Sequence, residues 1–150
     1  MKKIFLVLLM IFSMSLVVAC GNKDIPAEAA DMENASEDVK DLFKELNVEY
    51  MGGLYARSET NDMMIAFFKS SGKPVVVITE YGAVYYGEYI TKDATLPDGT
   101  KYTAITVEDE TYGYHFDEDL TGFVVDRDKV KYEAKKLDVS VAADMLNETL

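Results

Sequence analysis

Apolar residues recur with a period of two from Tyr50 to Ala134, in short runs broken by turn-forming clusters. No other feature constrains the fold as tightly, because that period belongs to strands and a helix needs 3.6. Met63-Met64-Ile65-Ala66-Phe67-Phe68 leads through Ser70-Ser71-Gly72-Lys73 into Pro74-Val75-Val76-Val77-Ile78-Thr79, a hairpin pattern. Val84 to Thr91 is rich in β-formers and aromatics, and Leu96-Pro97-Asp98-Gly99-Thr100 reads as a turn. Tyr102–Val107, Glu108-Asp109-Glu110 and Thr111–Phe116 form a second hairpin pattern, followed by Gly122–Val125 and the alternation of Val130, Tyr132 and Ala134. With a first strand over Leu54–Arg57, about eight short strands follow one another. Links this short force antiparallel pairing in meander order, since a parallel crossover needs a dozen residues or more. Eight such strands close into a small up-and-down barrel or form a bent sheet.

Upstream the period changes. Val39, Leu42, Phe43 and Leu46 are spaced as one face of a helix, with Asn34 or Ser36 as cap and Glu37 and Asp38 in the first turn. Asp128–Leu137 alternates as a strand despite its Lys, Glu and Ala content, and Val141–Leu146 suits a short terminal helix. The expected class is therefore α+β: an N-terminal amphipathic helix followed by about eight antiparallel strands, in one domain spanning 36–150. Gly21 to about Ala35 contains Pro26, several Ala and scattered acids without an apolar face. It reads as the body of a flexible tether over 20–35, with a reach of roughly 20 Å.

The first nineteen residues have a different character. Lys2 and Lys3 precede an uncharged apolar stretch, Ile4 to Val18, that ends at Ala19-Cys20-Gly21. The stretch is shorter than the roughly 20 residues a spanning helix requires, and its layout is that of a secretory signal. Val17-Val18-Ala19-Cys20 resembles the lipobox of bacterial lipoproteins. The resemblance implies a signal peptide over 1–19, transfer of diacylglycerol to the Cys20 thiol, and cleavage before Cys20. Multiple acyl chains would then hold the chain stably on the extracytoplasmic face of a cell membrane. Removal of Lys2 and Lys3 takes the formal charge from −12 to −14. Such a body is repelled by anionic lipid and attracts cationic or neutral partners.

Charge and composition exclude several function classes. A net charge of −12 opposes nucleic-acid binding, which needs a basic face. One Cys and one His exclude an internal disulfide, Cys-based zinc sites and two-His arrangements. Asp117, Asp119 and Thr121, with Gly122 sixth and Asp128 twelfth, parallel the donor spacing of a calcium-binding loop. Against that reading stand Thr at the fifth position, Asp in place of the bidentate Glu, and a non-helical approach. An S-x-x-K match at Ser70–Lys73 lacks its partner motifs and its helix. His115 near Asp117 and Asp119 is the one acid–base arrangement of note. No set of residues completes an enzyme site. Tyr81, Tyr85 and Tyr89 share one strand parity, as do Tyr112 and Tyr114, so each set lines one face able to bind sugar, peptide or protein.

The expected function is that of a lipid-anchored envelope protein with a non-enzymatic binding or accessory role. Alternative readings are an acidic inhibitor of a cationic secreted protein and a calcium-dependent binding module. The inhibitor reading is loosely similar to periplasmic lysozyme-inhibitor lipoproteins, which rely on a disulfide that one cysteine cannot form.

Overall fold

Two-residue turns set the register of the molecule. Ser71-Gly72 and Tyr81-Gly82 both place two successive residues at positive φ (52° and 80°; 51° and 79°), the geometry whose twist matches the flanking strands. The computed structural model describes residues 25–150; the expected signal peptide over 1–19, the expected lipid site Cys20 and residues 21–24 lie outside the described residues. The strands are β1 (Val48–Arg57), β2 (Asp62–Ser70), β3 (Lys73–Glu80), β4 (Ala83–Glu88) and β5 (Ile90–Thr95). They continue as β6 (Lys101–Val107), β7 (Glu110–Phe116), β8 (Gly122–Val125) and β9 (Lys131–Lys136). Every pairing is antiparallel, and the order is β4-β3-β2-β1-β9-β8-β7-β6-β5.

That order carries a geometric consequence. β4 and β5 lie at opposite ends of the sheet, yet only Tyr89 separates them in the chain. The two ends must therefore meet, and the sheet curls into a half-barrel. The segment expected as one strand from Val84 to Thr91 is bent: its first part pairs with β3 and its second with β6. Gly87, at φ 151° beside the bend, lies against Val107 of β6. At the middle of the sheet β1 meets β9 through just Leu54↔Lys136 and Tyr55↔Lys135.

Side-chain alternation then fills two layers. Met63, Ile65 and Phe67 of β2 point into the curl with Val76, Ile78, Ile105, Tyr112 and Val124. Ala66 and Phe68 point the other way, with Val75 and Val77 of β3, onto two helices. Helix α1 (Glu37–Glu45) is capped by the Ser36 hydroxyl, which accepts from the Val39 N–H at 3.3 Å. It presses Phe43 against Tyr50 and Phe68, with ring centroids 6.1 and 6.0 Å away. Helix α2 (Val139–Thr149) is capped by Asp138, which accepts from the Ser140 N–H at 2.8 Å, and buries Ala142, Ala143 and Leu146. Among the described residues no helix is long and apolar enough to cross a membrane.

Residues 27–35, assigned from composition to a tether, are folded onto the sheet. Two short 3₁₀ turns follow one another, and the first, Ala27–Ala30, runs along β1, with Met32–Asn34 next in the chain. Ala29 is fully buried over Gly52, whose φ of 128° and missing side chain permit the close approach. Asp31 pairs with Lys136 at 3.0 Å. A stretch with scattered acids and no apolar face of its own is seated on β1 through Ala29, which composition alone does not disclose.

The β6–β7 turn departs from good turn chemistry. Glu108 and Asp109 both hold positive φ (50° and 67°) where Asn and Gly are favoured. Replacing the pair by Asn-Gly is expected to stabilise the domain by about 1 kcal/mol, raising Tm by about 3 °C. An unchanged or lower Tm in a circular-dichroism melt would show that the turn is not strained.

Candidate functional site

Four of the five tyrosines that share strand parity point into the curl. Tyr112 and Tyr114 are fully buried there, Tyr85 and Tyr89 half-buried beside them, and Tyr81 sits exposed at the tip of the β3–β4 turn. The Phe67 ring packs on Tyr114 at 4.7 Å and on Tyr89 at 5.9 Å; Tyr85 meets Tyr112 at 5.8 Å. Burial pushes the Tyr89 phenol up to about 12. The face expected to meet a ligand is thus largely core: cross-strand pairs within a curled sheet use the same residues. Sequence parity places a residue on a face without saying which way the sheet bends around it.

A polar network forms at one rim. Successive antiparallel strands alternate direction, so the links 58–61, 81–82, 108–109 and 126–130 emerge together. Glu80, at the end of β3, is 3% exposed. Its carboxylate accepts from Arg127 Nε at 3.2 Å and from Asn61 Nδ2 at 3.5 Å. Arg127 also donates to the Tyr85 hydroxyl at 3.4 Å, lies 6.0 Å from the centre of that ring, and approaches Glu110 at 3.7 Å. Tyr112 lies deeper, and burial holds its phenol well above the usual range, with the Glu80 carboxylate adding to the effect. Asp126 is buried too. Its Oδ1 accepts from the N–H groups of Asp128 and Val130, each at 2.9 Å, and its Oδ2 from the Tyr132 hydroxyl at 3.2 Å. One arginine thereby ties β3 and β4 to β7 and the β8–β9 link. Nothing in the Asp126-Arg127-Asp128 sequence marks this role, because its partners lie 17 to 47 residues away.

The acidic segment is not a single loop. Asp117, Asp119 and Thr121 belong to the β7–β8 turn, whereas Asp128 lies in the β8–β9 link at the opposite rim. Strand β8 separates them by roughly 3.3 Å per residue. Asp119 is committed locally: its Oδ1 accepts from the Thr121 hydroxyl at 2.6 Å and N–H at 3.2 Å, which lowers its pKa. Among the described residues no group of three or more His, Cys, Asp or Glu side chains converges. The spacing that suggested calcium arises from two turns flanking a strand.

No family model, curated protein or solved structure matches the chain. The site is accordingly read from its own chemistry. His115 pairs with Asp117 at 3.3 Å, half-exposed, and stacks on Phe123 at 5.2 Å. A shallow hollow of about 140 Å³ lies between His115, Thr103, Tyr114 and Phe116. At the other rim Glu80 is neutralised by Arg127, an arrangement that braces the curl. Ser70 and Lys73, the ends of the S-x-x-K match, form the closing pair of the β2–β3 hairpin. The exposed apolar side chains Tyr81 and Val84 gather on the β3–β4 hairpin, with Ile90 just beyond.

Proposed function

We propose that the protein is a bacterial lipoprotein, anchored by diacylglycerol on Cys20 to the extracytoplasmic face of the cell membrane, with a non-enzymatic binding or accessory role there. The observation that carries this reading is the leader ending in Val17-Val18-Ala19-Cys20. The fold supports it by placing a packed β-rich body a short distance downstream. Because Ile25 already packs on the interior of that body, only residues 21–24 separate it from Cys20. Four residues span at most about 14 Å, so the body is held close to the bilayer rather than swinging on a long tether. Its charge after processing, −14, makes cationic proteins the favoured partners.

Cys20→Ser is expected to abolish the acyl mass and to shift the protein from the membrane fraction to unprocessed or released forms. Mass spectrometry and fractionation read both effects. Full membrane retention with an unchanged mass pattern would overturn the anchor.

A further inference from the structure

One side of β4 carries main-chain groups without a partner, and we propose that this edge accepts an extended, basic segment of another protein as an added strand. The Tyr81-Gly82 turn sets the phase of the β3–β4 ladder. In that phase Ala83, Tyr85 and Gly87 exchange main-chain hydrogen bonds with Glu80, Ile78 and Val76. The N–H and C=O groups of Val84 and Tyr86 therefore point away from β3, and β4 is the last strand on that side. Gly87 is covered by Val107, so the open stretch runs from the turn to Tyr86.

Sheet edges are ordinarily guarded by lysine, proline or a bulge. The other edge, β5, carries Lys92 and Asp93 at its centre; β4 has no such residue between Ala83 and Gly87. It instead presents apolar surface, with Tyr81 62% and Val84 48% exposed. Strand addition uses these two elements together: the edge supplies affinity through the main chain, and alternate side chains supply selectivity.

Charge selects the occupant. Glu108 and Asp109, at the same rim as the Tyr81-Gly82 turn, follow directly on Val107, and neither is in an ion pair among the described residues, whereas Glu88 and Glu110 are paired with Lys73 and Arg127. A second copy of the chain carries the same net negative charge and is repelled, whereas a lysine-bearing strand is attracted to this edge. The inference rests on the reading of the protein as a binding module and not on its lipid, so its failure leaves the outcome at Cys20 untouched.

The test uses the full chain in detergent and two heptapeptide probes, one alternating Lys with Val and one alternating Glu with Val. The basic probe is expected to bind and to slow hydrogen exchange at the Val84 and Tyr86 amides about tenfold. Val84→Pro removes an outward N–H that the ladder does not use, a change that edges tolerate, and should weaken binding at least about tenfold. Val84→Lys, which keeps the backbone intact, should weaken it as well; Asp93→Pro on β5 should not. Unchanged binding in both Val84 variants, protection on β5 instead of β4, equal binding of the acidic probe, or no binding of the basic one would each overturn the proposal. A dimer of the unmodified chain that Val84→Pro dissociates would overturn it in favour of a second copy.

Discussion

Phe67→Ala is expected to destabilise the domain by about 4 kcal/mol. Phe67 is fully buried at the centre of β2, and its ring packs on those of Tyr89, Tyr114 and Phe116 at 5.9, 4.7 and 6.3 Å. These partners come from the bend and from β7, so the ring joins the two halves of the curl across the interior. Truncation loses the transfer free energy of a phenyl group and leaves a cavity that rigid aromatic neighbours fill poorly. Against a typical domain stability of about 5–15 kcal/mol, that is a large fraction. Phe67→Leu keeps most of the volume and should cost much less, about 1–2 kcal/mol. Urea unfolding followed by tyrosine fluorescence reads both. A loss below about 1 kcal/mol for Phe67→Ala would show that the half-barrel interior is not packed as described.

Arg127→Ala should cost about 3 kcal/mol by a different mechanism. The arginine is 43% exposed, so the ion pair by itself contributes little. Glu80, however, is 3% exposed, and without Arg127 its carboxylate would be buried with only the weak 3.5 Å bond from Asn61. Leaving one partner of a buried pair uncompensated is the costly event, whereas removing both charges is cheap. Glu80→Gln combined with Arg127→Ala should therefore recover most of the loss, ending within about 1 kcal/mol of the unmodified protein. The two single variants and the double variant form a cycle whose coupling is expected to exceed about 1 kcal/mol. If the double variant is no more stable than Arg127→Ala alone, the network is not an electrostatic tie, and Arg127 acts through its packing on Tyr85.

Much of the local architecture was legible in residues. The run from Met63 to Thr79 announces its hairpin because alternation and a Ser-Gly turn agree. The ambiguous Asp128–Leu137 forms β9 over Lys131–Lys136, where alternation at Tyr132 and Ala134 prevails over helix-favouring composition. Other boundaries were hidden. β1 begins at Val48 rather than Leu54, because Gly52-Gly53 removes two side chains from the pattern while leaving the backbone paired with Phe67 and Ala66. Val84–Thr91 reads as one strand because nothing in its alternation marks the bend at Tyr89. The rim network was invisible for another reason: Arg127 and Glu80 lie 47 residues apart, and no spacing rule connects them.

By itself, the sequence determined the nearest-neighbour pairings of an antiparallel meander. Its physical basis is local: side-chain alternation assigns faces, and a two-residue turn leaves a strand no partner but the one before it. Only the tertiary structure decided that β9 closes against β1, that the sheet bends at Tyr89, and that Ala29 seats on Gly52. It also decided that Tyr112 and Tyr114 are core while the β4 edge stays open. Those outcomes depend on how side chains from distant segments fill one interior, and a fill of that kind has no period along the chain.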